Sequence, residues 1–237
     1  MSQPKPDPTA NDQPENGGWQ WLYIIGGATA LISVLIVPIQ IVVYTTSPPP
    51  STALDWFTLF QDSKLLGFLA FEGLFVLDGV LAIPTALALY VALRRTNQSL
   101  MAIALALGLV GNVALIVARP AFEMLILSDK YAAAPTDAQR ALFLAAGEAM
   151  IATFNGTAWQ VAFNLGNIYL VLIPVVMLQS NIFGRATAYM GLLAGVLGFG
   201  IYLPKIGLFL GILSALFLAI WEILIALRLF QLGWGGS

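Results

Sequence analysis

The chain has 237 residues, of which 59% are hydrophobic and only 9% are charged, and its mean hydropathy is +0.87. This balance excludes an ordinary soluble globular domain and indicates an integral membrane protein. The formal net charge is −2 and there is no block of Lys or Arg, which excludes a basic surface for nucleic acid. His and Cys are both absent, which removes the usual ligands of zinc, haem, copper and iron–sulfur centres, so we expect no metal and no cofactor.

Residues 1–18 are polar and rich in Pro and Asn, which predicts a disordered cytoplasmic tail rather than a signal peptide. The apolar run that follows opens with Trp19, Trp21 and Tyr23, an aromatic pattern typical of a membrane interface. We therefore interpret this run as a retained membrane anchor.

Apolar runs long enough for membrane helices recur along the rest of the chain. A bilayer core about 30 Å thick needs roughly 20 apolar residues of helix, and the sequence offers such a stretch six times. We predict an all-α integral membrane bundle of six transmembrane helices, with an amphipathic interfacial layer on the outer side. The predicted spans lie near 20–44, 66–93, 99–118, 157–179, 185–203 and 206–231, within a membrane domain of residues 19–232 that is followed by a short tail, 233–237.

Two connections carry the predicted interfacial layer. Between the first two spans, Trp56 and Phe60 stand among acidic residues in a pattern that favours a short amphipathic helix. Between the third and fourth spans, Thr136 and Gln139 have capping-box spacing. This spacing predicts the start of a helix on the membrane surface, or of an extension of the fourth span.

Basic residues in short loops predict the orientation of the chain. Arg94, Arg95, Arg185 and Arg228 fall on one side of the six predicted spans, and the long, acid-rich connections fall on the other. Because short cytoplasmic loops carry an excess of Lys and Arg, we expect both termini in the cytoplasm.

Polar side chains interrupt the apolar runs of spans two, three and four. Carboxylates inside a membrane usually face a bundle interior or water and mark an ion or substrate path. In span four, Thr157, Gln160, Asn164 and Asn167 recur on one stripe of a helix. The candidate side chains are predicted to converge on one layer in the outer half of the membrane: Glu72, Asp78, Asn112, Arg119, Gln160, Asn164 and Asn167.

Two interpretations of this layer stay open. In the first, the amides only hold helices together and Arg119 pairs with Glu123, one helical turn away. In the second, the seven side chains line a polar cavity that opens to the outer face and binds a small or lipidic ligand, or passes a proton or solute. In that case Arg119 keeps Glu72 ionised, whereas Asp78 is expected to be protonated, because hydrocarbon favours the neutral form of a carboxyl group.

Two stretches carry a resemblance to a known family. Residues 80–111, VLAIPTALALYVALRRTNQSLMAIALALGLVG, combine an internal Pro, a basic turn and a small-residue helix, and residues 180–203, SNIFGRATAYMGLLAGVLGFGIYL, form a turn followed by a Gly-rich helix. Together they resemble the bacterial membrane family catalogued as domain of unknown function 4386, and the likeness extends over about residues 20–230. The resemblance implies a six-helix protein of the bacterial inner membrane, and it brings no established activity.

We expect a non-enzymatic multi-pass membrane protein whose partners are the lipid bilayer and a small-molecule or lipid ligand. One alternative is an accessory or structural subunit of a larger membrane complex, in which the polar groups serve assembly only. A second alternative is a membrane-embedded hydrolase or transferase that uses Glu72 or Asp78 as an acid or base. No nucleic acid is expected as a partner.

Overall fold

The computed structural model describes residues 18–235, so residues 1–17 of the predicted tail 1–18 and the last two residues lie outside the described part. Within that part the regular structure is helical, which confirms the predicted all-α class. The α-helices are α1 Gln20–Thr46, α2 Ala53–Asp62, α3 Lys64–Ala70, α4 Gly73–Leu93, α5 Gln98–Val117, α6 Ala121–Ala133, α7 Asp137–Phe154, α8 Thr157–Met177, α9 Arg185–Gly198 and α10 Gly207–Trp234. A short 3₁₀ helix, Phe199–Tyr202, follows α9.

Five segments within residues 18–235 are long and apolar enough to cross a membrane. Two of them combine neighbouring helices, α5 with α6 and α7 with α8. The segments are Gln20–Gln40, Gly73–Leu93, Gln98–Ala133, Asp137–Met177 and Gly207–Trp234. They overlap five of the six predicted spans, and no segment corresponds to the predicted fifth span.

The predicted fifth span, 185–203, is an α-helix for only part of its length. Helix α9 ends at Gly198 after 14 residues, and at 1.5 Å per residue it rises only about 21 Å. Glycine weakens a helix interior, and Gly198 and Gly200 both fall where the α-helix gives way to the 3₁₀ helix. The α-helical part alone is therefore shorter than the hydrocarbon core.

The predicted second span, 66–93, is not one continuous helix. Helix α3 ends at Ala70 and α4 begins at Gly73, with Phe71 and Glu72 between them. The backbone of Glu72 has a φ of 57°, in the left-handed region, and a right-handed α-helix cannot continue through such a residue. Glu72 therefore precedes the membrane-length helix, contrary to the prediction, whereas Asp78 lies inside α4.

Two helices, α2 and α7, form where local sequence patterns predicted them. The side chain of Thr136 accepts a hydrogen bond of 3.3 Å from the backbone N–H of Gln139, and α7 begins at the next residue after Thr136. Helix α2 buries Trp56 and Phe60, as its amphipathic pattern predicts. Both helices thus form where local sequence alone places them.

The chain divides into two compact units, each with its own core. Among the described residues, unit 1 contains 18–34, 81–111 and 164–235, and unit 2 contains 35–80 and 112–163. The core of unit 1 includes Tyr23, Leu89 and Ile225. The core of unit 2 is rich in aromatic residues and forms around Trp56, Phe57, Phe60, Phe71 and Met124.

Candidate functional site

Three of the breaks between consecutive helices in unit 2 build the candidate site. The α3–α4 break contains Glu72, with its left-handed backbone. The α5–α6 break contains Arg119 and Pro120; a proline has no backbone N–H to continue a helix. The α7–α8 break consists of residues 155 and 156, and Gly156 favours such an interruption.

Arg119 and Glu72 form an ion pair that joins two of these breaks. The Nε atom of Arg119 lies 2.6 Å from the Oε2 atom of Glu72. The Arg119 side chain is 2% exposed and that of Glu72 is 14% exposed, so the carboxylate is the more accessible partner. Of the two partners considered for Arg119 in the sequence, Glu72 is the one in contact with its Nε atom.

Two aromatic rings at the third break contact the same guanidinium group. The guanidinium carbon of Arg119 lies 4.5 Å from the ring centroid of Phe154, the last residue of α7. It lies 4.2 Å from the ring centroid of Trp159, in the first turn of α8. A cation over an aromatic face at this distance is attracted by the ring quadrupole, most strongly where water is excluded.

Two backbone carbonyl groups also contact Arg119. Its Nη1 atom donates to the carbonyl of Ala118 at 3.2 Å and to the carbonyl of Phe154 at 3.4 Å. The last carbonyls of a helix have no partner within that helix and carry partial negative charge, so a cation near them is stabilised. The guanidinium is thus compensated by a carboxylate, two carbonyls and two rings.

The other predicted site residues of unit 2 are Asp78, Asn112 and Gln160. The Nδ2 atom of Asn112 donates to the carbonyl of Gly79, the residue that follows Asp78 in α4. Asp78 is half-buried, and Gln160, one residue beyond Trp159, is exposed. The structure therefore brings Glu72 and Arg119 into direct contact and places Asn112 against the α4 backbone beside Asp78.

The remaining two predicted site residues belong to unit 1. The Nδ2 atom of Asn164 donates to the hydroxyl of Tyr202 at 2.8 Å. Asn167 is 5% exposed and packs against Gly198 at the end of α9, and its Nδ2 atom has no hydrogen-bond partner among the described residues. Within unit 1 these amides connect α8 to the end of α9 and the 3₁₀ helix, the role that the packing interpretation gives them.

Sequence reasoning missed the aromatic residues and carbonyl groups around Arg119. Phe154 directly precedes the dipeptide Asn155-Gly156, and Trp159 follows it by three residues. Aromatic residues on both sides of such a helix-breaking pair are the signal that could have identified them. Among the described residues, no group of three or more Asp and Glu side chains is placed to hold a metal ion.

An all-α chain with several membrane-length apolar helices has the architecture of a helical membrane protein. The chain belongs to the family described as Domain of unknown function (DUF4386), whose model matches residues 21–233. This match confirms the family resemblance found in the sequence. No curated protein and no solved structure matches the chain.

Proposed function

We propose that this chain is a non-enzymatic, multi-pass protein of the bacterial inner membrane that binds a small or lipidic ligand at the polar cluster of unit 2. The observation that carries the proposal is the ion pair between Arg119 and Glu72 at the junction of three helix breaks. The accessory-subunit alternative would need no such cluster.

Three physical arguments favour a ligand site over packing alone. Burying an ion pair carries a desolvation cost that an apolar contact avoids. A left-handed backbone at a residue other than glycine persists only where its surroundings enforce it, and such residues concentrate at functional sites. Discontinuous helices are also where membrane proteins commonly build their ligand sites.

We include a sixth membrane crossing in this proposal, formed by α9 together with the 3₁₀ helix. Fourteen residues of α-helix and four of 3₁₀ helix rise about 29 Å together, close to the thickness of a hydrocarbon core. Helix α10 lies antiparallel beside them: Arg228 Nε donates to the Ile182 carbonyl at 2.6 Å, and Ser214 Oγ donates to the Ala194 carbonyl at 2.7 Å.

With six crossings both termini lie on the same side, which the basic loops predict to be cytoplasmic. Helices α2, α6 and α7 would then form the interfacial layer on the outer side.

The sixth crossing can be tested without background labelling, because the chain has no cysteine. We would introduce Asn181→Cys and Lys205→Cys separately, one before α9 and one after the 3₁₀ helix, and treat intact cells with a membrane-impermeant thiol reagent. Lys205→Cys should react in intact cells, and Asn181→Cys only after the membrane is opened. Equal labelling of the two positions from one side would contradict six crossings.

Ligand binding is tested by native mass spectrometry of the protein purified in mild detergent. The wild-type protein should carry a bound small molecule or lipid, and Glu72→Gln combined with Asp78→Asn should change the bound fraction. Asp62→Asn combined with Asp129→Asn removes two exposed carboxylates of unit 2 and serves as the matched control. A wild-type protein without ligand, whose stability and host growth survive Glu72→Gln with Asp78→Asn unchanged, would overturn the proposal. Co-purification with a larger complex instead would favour the accessory subunit.

A further inference from the structure

We infer that Arg119 is the anchor of an anion-binding site, and that Glu72 occupies this site as a competitor built into the chain. The ligand class is a phosphate or carboxylate group, either free or part of a lipid headgroup. The inference rests on the proposed function, because it names the ligand chemistry of the same cluster.

Arg119 is held in place by contacts that do not involve Glu72. The rings of Phe154 and Trp159 lie within 4.5 Å of its guanidinium carbon, and two backbone carbonyls accept from its Nη1 atom. These contacts remain when the carboxylate leaves. A guanidinium fixed in this way is preorganised for the planar, bidentate recognition that phosphate and carboxylate groups favour.

Glu72 is the partner that can move. Its backbone N–H donates to the Leu69 carbonyl at 3.1 Å and its carbonyl accepts from the Phe75 N–H at 2.9 Å, so a rotation of the side chain alone moves the carboxylate without unwinding a helix. The Glu72 side chain is also the more accessible partner of the pair, with 14% of its surface exposed against 2% for Arg119.

Departure of Glu72 alone would take the carboxylate away from a guanidinium whose side chain is 2% exposed, which is unfavourable. A second anion that enters as Glu72 leaves avoids this cost. The structure therefore favours an exchange of one anion for another over a simple opening of the pair. Since Glu72 is tethered beside Arg119 at a high effective concentration, it weakens the binding of any external anion.

Binding of phosphatidylglycerol to the full-length protein, followed by native mass spectrometry in a non-ionic detergent, tests this inference. Diacylglycerol, which lacks the phosphate, is the control lipid, and Asp62→Asn is the control variant because Asp62 is exposed. Glu72→Gln should bind phosphatidylglycerol about tenfold more tightly than the wild-type protein, because the tethered competitor is gone. Asp62→Asn should bind it as the wild-type protein does, and diacylglycerol binding should not change.

Arg119→Gln in the Glu72→Gln background shows whether the gain depends on the guanidinium. The double variant should return phosphatidylglycerol affinity to the wild-type value or below it. A gain that persists in the double variant would place the new binding elsewhere and overturn the inference. A Glu72→Gln protein with no gain at all would overturn it too.

Glu72→Gly offers a second variant should Glu72→Gln fold poorly. Glycine adopts a φ of 57° without steric cost, so this variant removes the carboxylate and keeps the backbone. It should show the same gain in phosphatidylglycerol affinity as Glu72→Gln. A folded Glu72→Gly protein without that gain is again evidence against a competitor role.

Inorganic phosphate distinguishes the two sources of the anion. If phosphate alone displaces phosphatidylglycerol from Glu72→Gln, the site accepts a free anion; if it does not, the site requires the lipid. A wild-type protein that retains a neutral ligand while Glu72→Gln gains no anion affinity would refute this inference and leave the proposed function standing. Proteins that bind nothing, variant or wild type, would refute both.

Discussion

Asn167 of α8 lies directly against Gly198, the last residue of α9. A Cβ atom placed on Gly198 would overlap the Oδ1 atom of the Asn167 amide and would lie 2.7 Å from its Cγ atom. Gly198 itself has ordinary right-handed helical angles, φ −55° and ψ −43°, so its backbone would tolerate any residue. The requirement for glycine here is therefore steric, and it comes from the neighbouring amide.

We expect Gly198→Ala to lower the free energy of unfolding by about 1–3 kcal/mol, because the extra methyl group overpacks a filled site. Thermal unfolding in detergent measures the change. Gly166→Ala, also in a helix of unit 1, is the matched control because a Cβ there meets no atom within 4 Å. That control should be neutral or slightly stabilising. Asn167→Ala should partly rescue Gly198→Ala, since it removes the clashing amide, and strictly additive effects would contradict the steric explanation.

Trp159→Leu should destabilise the protein by about 1–2 kcal/mol beyond its change in apolar area, because it removes the aromatic face 4.2 Å from the Arg119 guanidinium. Trp159→Phe retains a ring and should be milder. Chemical unfolding followed by circular dichroism compares the two variants. If leucine and phenylalanine are equally tolerated, the ring contributes only bulk.

The buried and the exposed ion pairs of unit 2 should respond very differently to neutralisation. Arg119→Gln leaves a buried carboxylate with its strongest partner removed, and we expect a loss of about 3–5 kcal/mol. Lys64→Gln breaks the pair with Asp129, whose side chains are 62% and 53% exposed, and should cost under about 1 kcal/mol. Thermal shift assays rank the two. Glu72→Gln with Arg119→Gln should be more stable than Arg119→Gln alone, and the reverse order would refute the pairing.

Glu148 of α7 caps the first turn of α2 and offers a local test of unit 2. Its Oε1 atom accepts a hydrogen bond of 2.8 Å from the backbone N–H of Ala53. Glu148→Ala should cost about 1 kcal/mol and speed amide hydrogen exchange at the start of α2, because an orphan donor loses its acceptor. Glu148→Gln keeps an acceptor oxygen and should change exchange much less. Unaltered exchange at residues 53–55 in Glu148→Ala would exclude the cap.

Local signals in the sequence predicted the starts of helices well. Thr136 and Gln139 are three residues apart, and a capping interaction over that distance depends on little else in the chain. The approach of Arg119 to Glu72 was also predictable in outline, because few charges lie in this apolar stretch and a buried charge requires a partner. The first prediction rests on an interaction that is local in sequence, and the second rests on the cost of leaving a buried charge unpaired.

Other features depend on tertiary contacts that no local pattern encodes. The sign of φ at Glu72 is decided by how α3 and α4 pack, and the only local hint is the adjacent Gly73, which lies against the ring of Phe68. The stripe from Thr157 to Asn167 predicted a common face of α8 but could not assign partners, and its members belong to different units. Periodicity identifies a face, whereas the facing residue depends on the whole fold.

The position of Arg119 has a mechanical consequence for unit 2. One guanidinium group contacts Glu72 between α3 and α4, the Ala118 carbonyl between α5 and α6, and the Phe154 carbonyl at the end of α7. Arg119 therefore contacts all three junctions at once, and a displacement of Arg119 itself would disturb each of them. A signal that displaces Arg119 would remove one contact shared by the three junctions and their six helix ends. We therefore expect the three junctions to rearrange together, as one cooperative hinge.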